Sequence, residues 1–180
     1  HTGIRRQRQM CIRDRIDSML QDKNWHTGSN CQIKFDDIKD IILEYVDRGA
    51  RIYIGSDSFI TQGKVCFAST ICLHGPSLGG RYFFFRENLK TSHFLQLVSR
   101  ITEETRRSVE IAEVLMSECM INPKNIELHL DVSPFQAKNG TSRFSEMLRG
   151  YVIGFGLDCK LKPNAWAGQT VADKHLSLIH

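Results

Sequence analysis

Residues 51–86 read RIYIGSDSFITQGKVCFASTICLHGPSLGGRYFFFR, and three apolar, β-rich runs stand out in that stretch. Arg51-Ile52-Tyr53-Ile54-Gly55 runs into Ser56-Asp57-Ser58. Val65 to Leu73 is dominated by apolar and β-branched residues, and Arg81-Tyr82-Phe83-Phe84-Phe85-Arg86 is an aromatic run bounded by charge. Gly63 marks one connection, and Gly75-Pro76 with Gly79-Gly80 mark the other. Both connections are short enough for hairpins, so the stretch predicts a meander of three antiparallel strands.

Working outward, Phe35, Ile38, Ile41, Ile42, Tyr45 and Val46 recur at helical spacing before Gly49, which predicts a helix from about Phe35 to Val46. Downstream, a long helix is expected to start near the capping candidates Thr91 and Ser92 and to end before Asn122-Pro123. Its apolar stripe would be Leu95, Val98, Ile101, Thr105, Val109, Ala112, Met116 and Cys119. Ile126 to Val132 alternates as a strand, with Glu127, His129 and Asp131 on one face. A second helix is expected from about Thr141 to Phe155, burying Phe144, Leu148, Tyr151, Val152 and Phe155. A short strand, Cys159 to Lys162, and a last helix from Ala165 to Gln169 onward follow. The expected fold is α/β: a mixed five-stranded sheet, three antiparallel strands and then βαβα, with flanking helices. The first and fourth strands would lie adjacent and parallel. Open α/β sheets place ligands beyond the carboxyl ends of strands at such a switch point.

The chain has 180 residues and a formal charge of +4, which invites a nucleic-acid reading. The excess is local, however. Arg5, Arg6, Arg8, Arg13 and Arg15 sit beside one acid, Asp14; with these set aside, 24 basic residues become 19 and 20 acidic ones also become 19. Leu176 to His180 can be encoded CTG TCT CTT ATA CAC, whose reverse complement, shifted by one base, encodes Cys11-Ile12-Arg13-Asp14-Arg15. Both ends resemble translated sequencing-adapter sequence. Residues 1–15 and 176–180 are therefore expected to be non-native, with residues 16–175 a single domain shortened at both ends. No run is long and apolar enough for a membrane span, and no secretory leader opens the sequence. Cys31, Cys66, Cys72, Cys119 and Cys159 show no CxxC spacing, which predicts buried thiols and a reducing, cytoplasmic setting rather than a disulfide framework or a zinc ribbon.

Asp57 ends the first predicted strand and Asp131 comes near the end of the fourth. On neighbouring strands the two carboxylates would converge and repel unless a cation lay between them. Mg²⁺ or Mn²⁺, in a two-metal site, is the cation that takes oxygen ligands and serves phosphodiester hydrolysis. Further carboxylates are available from Glu103, Glu104, Glu110 and Glu113 on the long helix and from Asp173 on the last one. Helical phase favours Glu104, at the edge of the apolar stripe and early in the helix, over Glu110.

The same residues carry a family resemblance. The element order, with Asp on the first strand, Glu on the crossover helix, Asp on the fourth strand and Asp on the last helix, resembles the ribonuclease H fold. Within it the chain is similar to the YkuK-type ribonuclease H-like proteins. The matching segments are Ile54-Gly55-Ser56-Asp57-Ser58, Glu104-Thr105 with Glu110-Ile111-Ala112, His129-Leu130-Asp131-Val132, Gly154-Phe155-Gly156-Leu157, and Lys162-Pro163-Asn164-Ala165-Trp166-Ala167 followed by Val171-Ala172-Asp173-Lys174. The resemblance implies Asp57, Glu104, Asp131 and Asp173 as catalytic metal ligands, with both Glu104 and Glu110 in family-like positions. Phe59 stands where the family has Gln.

Two functions are thus expected as alternatives. One is a metal-dependent nuclease acting on RNA, DNA or an RNA–DNA hybrid; the other is a catalytically inactive ribonuclease H-like module that binds nucleic acid. Lys138, Lys160, Lys162 and Lys174 lie near the same ends and are candidates for phosphate contacts, though each alone reads as a surface lysine. His129 could assist proton transfer, but a hydrogen-bonded histidine beneath a helix is the favoured reading. Trp25 and Trp166 could stack on bases, with core or helix-anchoring roles favoured. Ser56 and Ser58 flank Asp57 without a G-x-S-x-G elbow, and no P-loop is present.

Overall fold

Three long strands form the centre of the molecule. A computed structural model describes residues 15, 16, 19–134 and 142–177. In it β3 (Arg51–Thr61), β4 (Lys64–Gly75) and β5 (Gly79–Lys90) form the predicted meander. Gln62 and Gly63 join β3 to β4 in a two-residue turn with φ of 41° and 78°. Positive φ at both positions gives the local twist that lets two strands pair without splaying, and the register closes at Thr61↔Lys64.

Among the described residues the sheet has seven strands, in the order β2-β1-β5-β4-β3-β6-β7, where five were expected. The two extra ones, β1 (Trp25–Thr27) and β2 (Gln32–Ile33), are three and two residues long and extend the β5 edge as a small hairpin. Runs that short show no measurable alternation, so the sequence pattern passes over them. Their anchor is Trp25, which is fully buried against Phe35 and Phe85 and donates its indole N–H to the Leu20 carbonyl at 2.9 Å. At the other side of the meander, β6 (Ile126–Leu130) runs parallel to β3 and β7 (Asp158–Lys160) parallel to β6, as expected for crossover units.

The helices cover the two sheet faces unequally. α1 (Phe35–Asp47), α2 (Leu97–Glu118) and α3 (Ser145–Gly154) pack on one face, where Ile52, Ile54, Ile71, Leu73, Phe83 and Phe85 meet Ile38, Ile101, Val109, Ala112 and Leu148. The opposite face is crossed by a π-helical turn (Ala167–Ala172) leading into α4 (Asp173–Ser177), and the contacts there are small: Cys66, Ala68, Ala172 and Leu176, with Phe59 against them.

Several boundaries and burials differ from expectation. α2 begins at Leu97, because Thr91–His93 form a separate 3₁₀ turn, and Leu95 is 70% exposed. Of the expected stripe, Ile101, Thr105, Val109, Ala112 and Cys119 are buried, joined by Ser108 and Leu115, while Val98 and Met116 are half-buried. α3 is shorter than expected, preceded by a 3₁₀ turn at Ser142–Phe144, while Thr141 lies outside the described residues. Only Ser145, Leu148 and Val152 of α3 are buried. Tyr151 and Phe155, expected in the core, are exposed because α3 is peripheral and nothing covers its outer side among the described residues. Among the described residues, Cys66, Cys72, Cys119 and Cys159 are buried and Cys31 is exposed. No helix among the described residues is long and apolar enough to cross a membrane.

Candidate functional site

The parallel ladder between β3 and β6 pairs Tyr53 with Glu127, Gly55 with His129 and, last, Ser56 with Leu130. One step further in the same register stand Asp57 and Asp131. Side chains alternate across a strand, and Ile52 and Ile54 point into the main core. Tyr53, Gly55 and Asp57 therefore face the other way, toward the turn and α4, while Ser56 and Ser58 face α2. Hydrogen bonds bear this out: the Ser108 hydroxyl of α2 donates to Ser56 Oγ at 3.2 Å, and the Ser58 hydroxyl donates to Glu104 Oε1 at 2.5 Å. β3 thus presents Asp57 on one face of the sheet and a serine contact to Glu104 on the other.

The electrostatics of these acids are mutually unfavourable. Burial, then the like charges of Asp131 and Asp173, push the Asp57 carboxyl up to about 7, against a backbone hydrogen bond from Ser58 and the charge of Lys162. Glu104 is buried, and its carboxyl is held well above the usual range by burial and by Asp57 and Asp131. Asp173 is exposed at the first residue of α4. Lys162 Nζ stands 2.8 Å from Asp131 Oδ1. The approach is an ion pair and not an aligned hydrogen bond, so among the described residues Asp131 Oδ1 is a buried oxygen with no hydrogen-bond partner. A serine on the opposite parity from Asp57 was the available sequence signal for the Ser58–Glu104 contact. The Lys162–Asp131 pair had none, because it depends on how the chain returns after β7.

Glu110, the competing candidate on α2, is drawn elsewhere. Arg106 pairs with it and with Glu103, at 2.7 Å for the latter, and Arg107 binds Glu103 at 2.9 Å and Glu87 at 2.7 Å. These groups, with Lys23 on Glu87, form a network at the α2–β5 contact that does not include Asp57.

The four acids influence one another without closing on one point. Among the described residues, no group of three His, Cys, Asp or Glu side chains is arrayed to hold a metal ion. Their donor set is nevertheless all carboxylate oxygen, one of them buried and without a hydrogen bond, which is the chemistry a hard divalent cation takes.

His129 is 1% exposed, and burial holds its imidazole below the ordinary value against the pull of Glu127. It accepts the Ala167 N–H at Nδ1 and reaches Glu127 through Nε2, so it is a hydrogen-bonded histidine beneath the turn. Trp166 is 39% exposed and lies against Tyr53 and His129. Lys160 and Lys174 are exposed, and Lys138 lies outside the described residues. Phe59 packs against the small cluster under α4.

A family model described as Ribonuclease H-like matches residues 34–176. No curated protein and no solved structure matches the chain.

Proposed function

The chain belongs to the ribonuclease H-like family, and from that premise we propose that it is a metal-dependent nuclease hydrolysing phosphodiester bonds of RNA, DNA or an RNA–DNA hybrid. The observation that carries this reading is the placement of Asp57 and Asp131 side by side just past the last β3–β6 pair, with Asp57 inside β3, which continues to Thr61, and not at the strand's end as expected; this is the switch point of the sheet, where open α/β folds bind ligands.

Asp57, Glu104, Asp131 and Asp173 are the residues that would hold two Mg²⁺ or Mn²⁺ ions. Bound there, the ions would supply a Lewis acid for phosphoryl oxygens and lower the pKa of a bound water. The protein's own part is to keep the carboxylates together at an electrostatic cost that a cation offsets. That cost is visible in the upward displacement of Asp57 and Glu104. Lys162, partly exposed beside Asp131, is the cation best placed to meet a phosphate oxygen.

A second reading, a ribonuclease H-like module that binds nucleic acid without cleaving it, is favoured by the same Lys162. An ammonium already neutralises Asp131, and no three acids converge among the described residues. Labelled RNA, DNA and hybrid incubated with Mg²⁺ or Mn²⁺ separate the two. Cleavage by the wild type that is lost in Asp57→Asn and Asp131→Asn supports the nuclease. Binding without cleavage, or equal cleavage by all three proteins, rejects it.

A further inference from the structure

In the turn that leads into α4, the Ala167–Gly168 peptide is held from several sides. The Ala167 N–H donates to His129 Nδ1 at 3.0 Å. A backbone amide can only donate, so Nδ1 is the bare ring nitrogen, and the proton on Nε2 is donated to Glu127 Oε1 at 2.9 Å. Glu127 is oriented in turn by Arg51, whose Nη2 is 3.7 Å from Oε2. On the carbonyl side, the Thr70 hydroxyl lies 3.2 Å from the Ala167 oxygen. Below, the peptide rests on the bare backbone of Gly55, where a Cβ would come within 2.3 Å of Gly168 N. Gly168 itself lies so close to β6 that its own Cβ would be 3.1 Å from the His129 carbonyl and 3.8 Å from Asp131 Cβ. Asp173 follows five residues later.

We propose that His129 is a positioning residue: by accepting the Ala167 N–H it holds the turn on β6 and sets the start of α4, with Asp173, on the Asp57 side of β3. The chain of contacts Arg51–Glu127–His129–Ala167 fixes the ring's tautomer and angle, as outer partners do for groups that must be held in one orientation. The inference rests on the nuclease reading only for what Asp173 is used for. That His129 anchors the segment stands apart from it.

Two substitutions divide the two faces of the ring. Asn offers a carbonyl oxygen near the place of Nδ1, so His129→Asn keeps an acceptor for Ala167. Gln reaches the place of Nε2, so His129→Gln keeps the Glu127 contact and loses the acceptor. Backbone amide exchange over residues 167–173 and Mn²⁺ binding, read by the electron paramagnetic resonance of free Mn²⁺, are to be measured on the full chain. For His129→Gln, exchange is expected to accelerate about tenfold and Mn²⁺ affinity to fall about tenfold, as in Asp173→Asn, while His129→Asn stays within about threefold of wild type. Equal protection in both variants overturns the proposal, as does faster exchange in His129→Gln with unchanged Mn²⁺ affinity. If the wild type takes up no Mn²⁺, the nuclease reading fails, and the exchange contrast alone decides whether His129 is the anchor. Should His129→Gln not fold, Thr70→Val loosens the same peptide from its carbonyl side and is expected to speed exchange over 167–173; unchanged exchange there overturns the proposal.

Discussion

Asp57 and Asp131 extend the β3–β6 register by one step past its last pair, Ser56 and Leu130, so two carboxylates stand on one face of adjacent strands. Burial of Asp57, and after it this neighbouring charge, makes the stability depend on pH. Asp57 titrates at about 7 in the folded protein against 3.8 for the free side chain. Between those values the folded state holds a proton that the unfolded state has lost, so stability falls as pH rises from about 4 to 7 and stays low above it. Each unit is worth about 1.4 kcal/mol, and solvent screening of this half-buried group reduces the total to on the order of 2 kcal/mol. In metal-free buffer, Asp57→Asn is therefore expected to be the more stable protein at pH 8, by about that amount, with the difference vanishing near pH 4. Urea unfolding at several pH values tests this; a variant no more stable than wild type at pH 8 contradicts it.

Glu104 and Glu110 should separate cleanly. Glu104 lies under Ser58 and feels Asp57 and Asp131, whereas Glu110 is held by Arg106. Glu104→Gln is expected to weaken Mn²⁺ binding at least about tenfold. Glu110→Gln is expected to leave it unchanged and to change stability by no more than about 0.5 kcal/mol, because burial of Glu110 opposes its pair with Arg106. Calorimetric Mn²⁺ titration of both variants decides, and the reverse ranking would exchange their roles.

What was legible in the sequence was what local pattern carries. The β3–β4–β5 meander, the α2 stripe around Ile101 and Ala112, and the alternation of β6 all follow from side-chain period. The nearness of Asp57 to Asp131 follows once β3 and β6 are made parallel. Trp25 and its two short strands escaped because a three-residue strand has no period to read. Tyr151 and Phe155 misled because helical phase says which residues share a face, not whether another element covers that face. Glu104 could be favoured over Glu110 by phase, but the reason Glu110 is diverted, an arginine one turn away, became clear only with the side chains in place. The Ala167–Gly168 crossing left no trace in local pattern, since Gly55, Thr70 and His129 meet it from three different strands.

Gly55 and Gly168 are predicted to tolerate a methyl group unequally. At Gly55 the added Cβ meets backbone at 2.3 Å and 2.7 Å, from Gly168 N and Ala167 C, so the turn must lift off the sheet. At Gly168 the nearest atom is the His129 carbonyl at 3.1 Å, a contact that a small shift relieves. Gly55→Ala is expected to lose about 2–3 kcal/mol in urea unfolding and Gly168→Ala about 1 kcal/mol or less. If the two cost the same, the turn is not seated on Gly55 as described.

Arg107 is the remaining test of what holds α2, and with it Glu104, against the sheet. It is 8% exposed, forks between Glu103 and Glu87, and lays its guanidinium over the Phe67 ring at 4.5 Å from the centroid. Removing a buried member of such a network leaves charges without compensation and also strips the packing of the aliphatic stem. Glu87 retains Lys23 and Glu103 retains Arg106, so the loss should fall below that of an isolated buried pair. Arg107→Ala is expected to cost about 2–3 kcal/mol. Arg107→Lys keeps the charge, but a lysine has neither the planar fork nor the stacking face, so less than half of the loss should be recovered. Full recovery by lysine would mean that charge alone, and not the fork between α2 and β5, holds the helix in place.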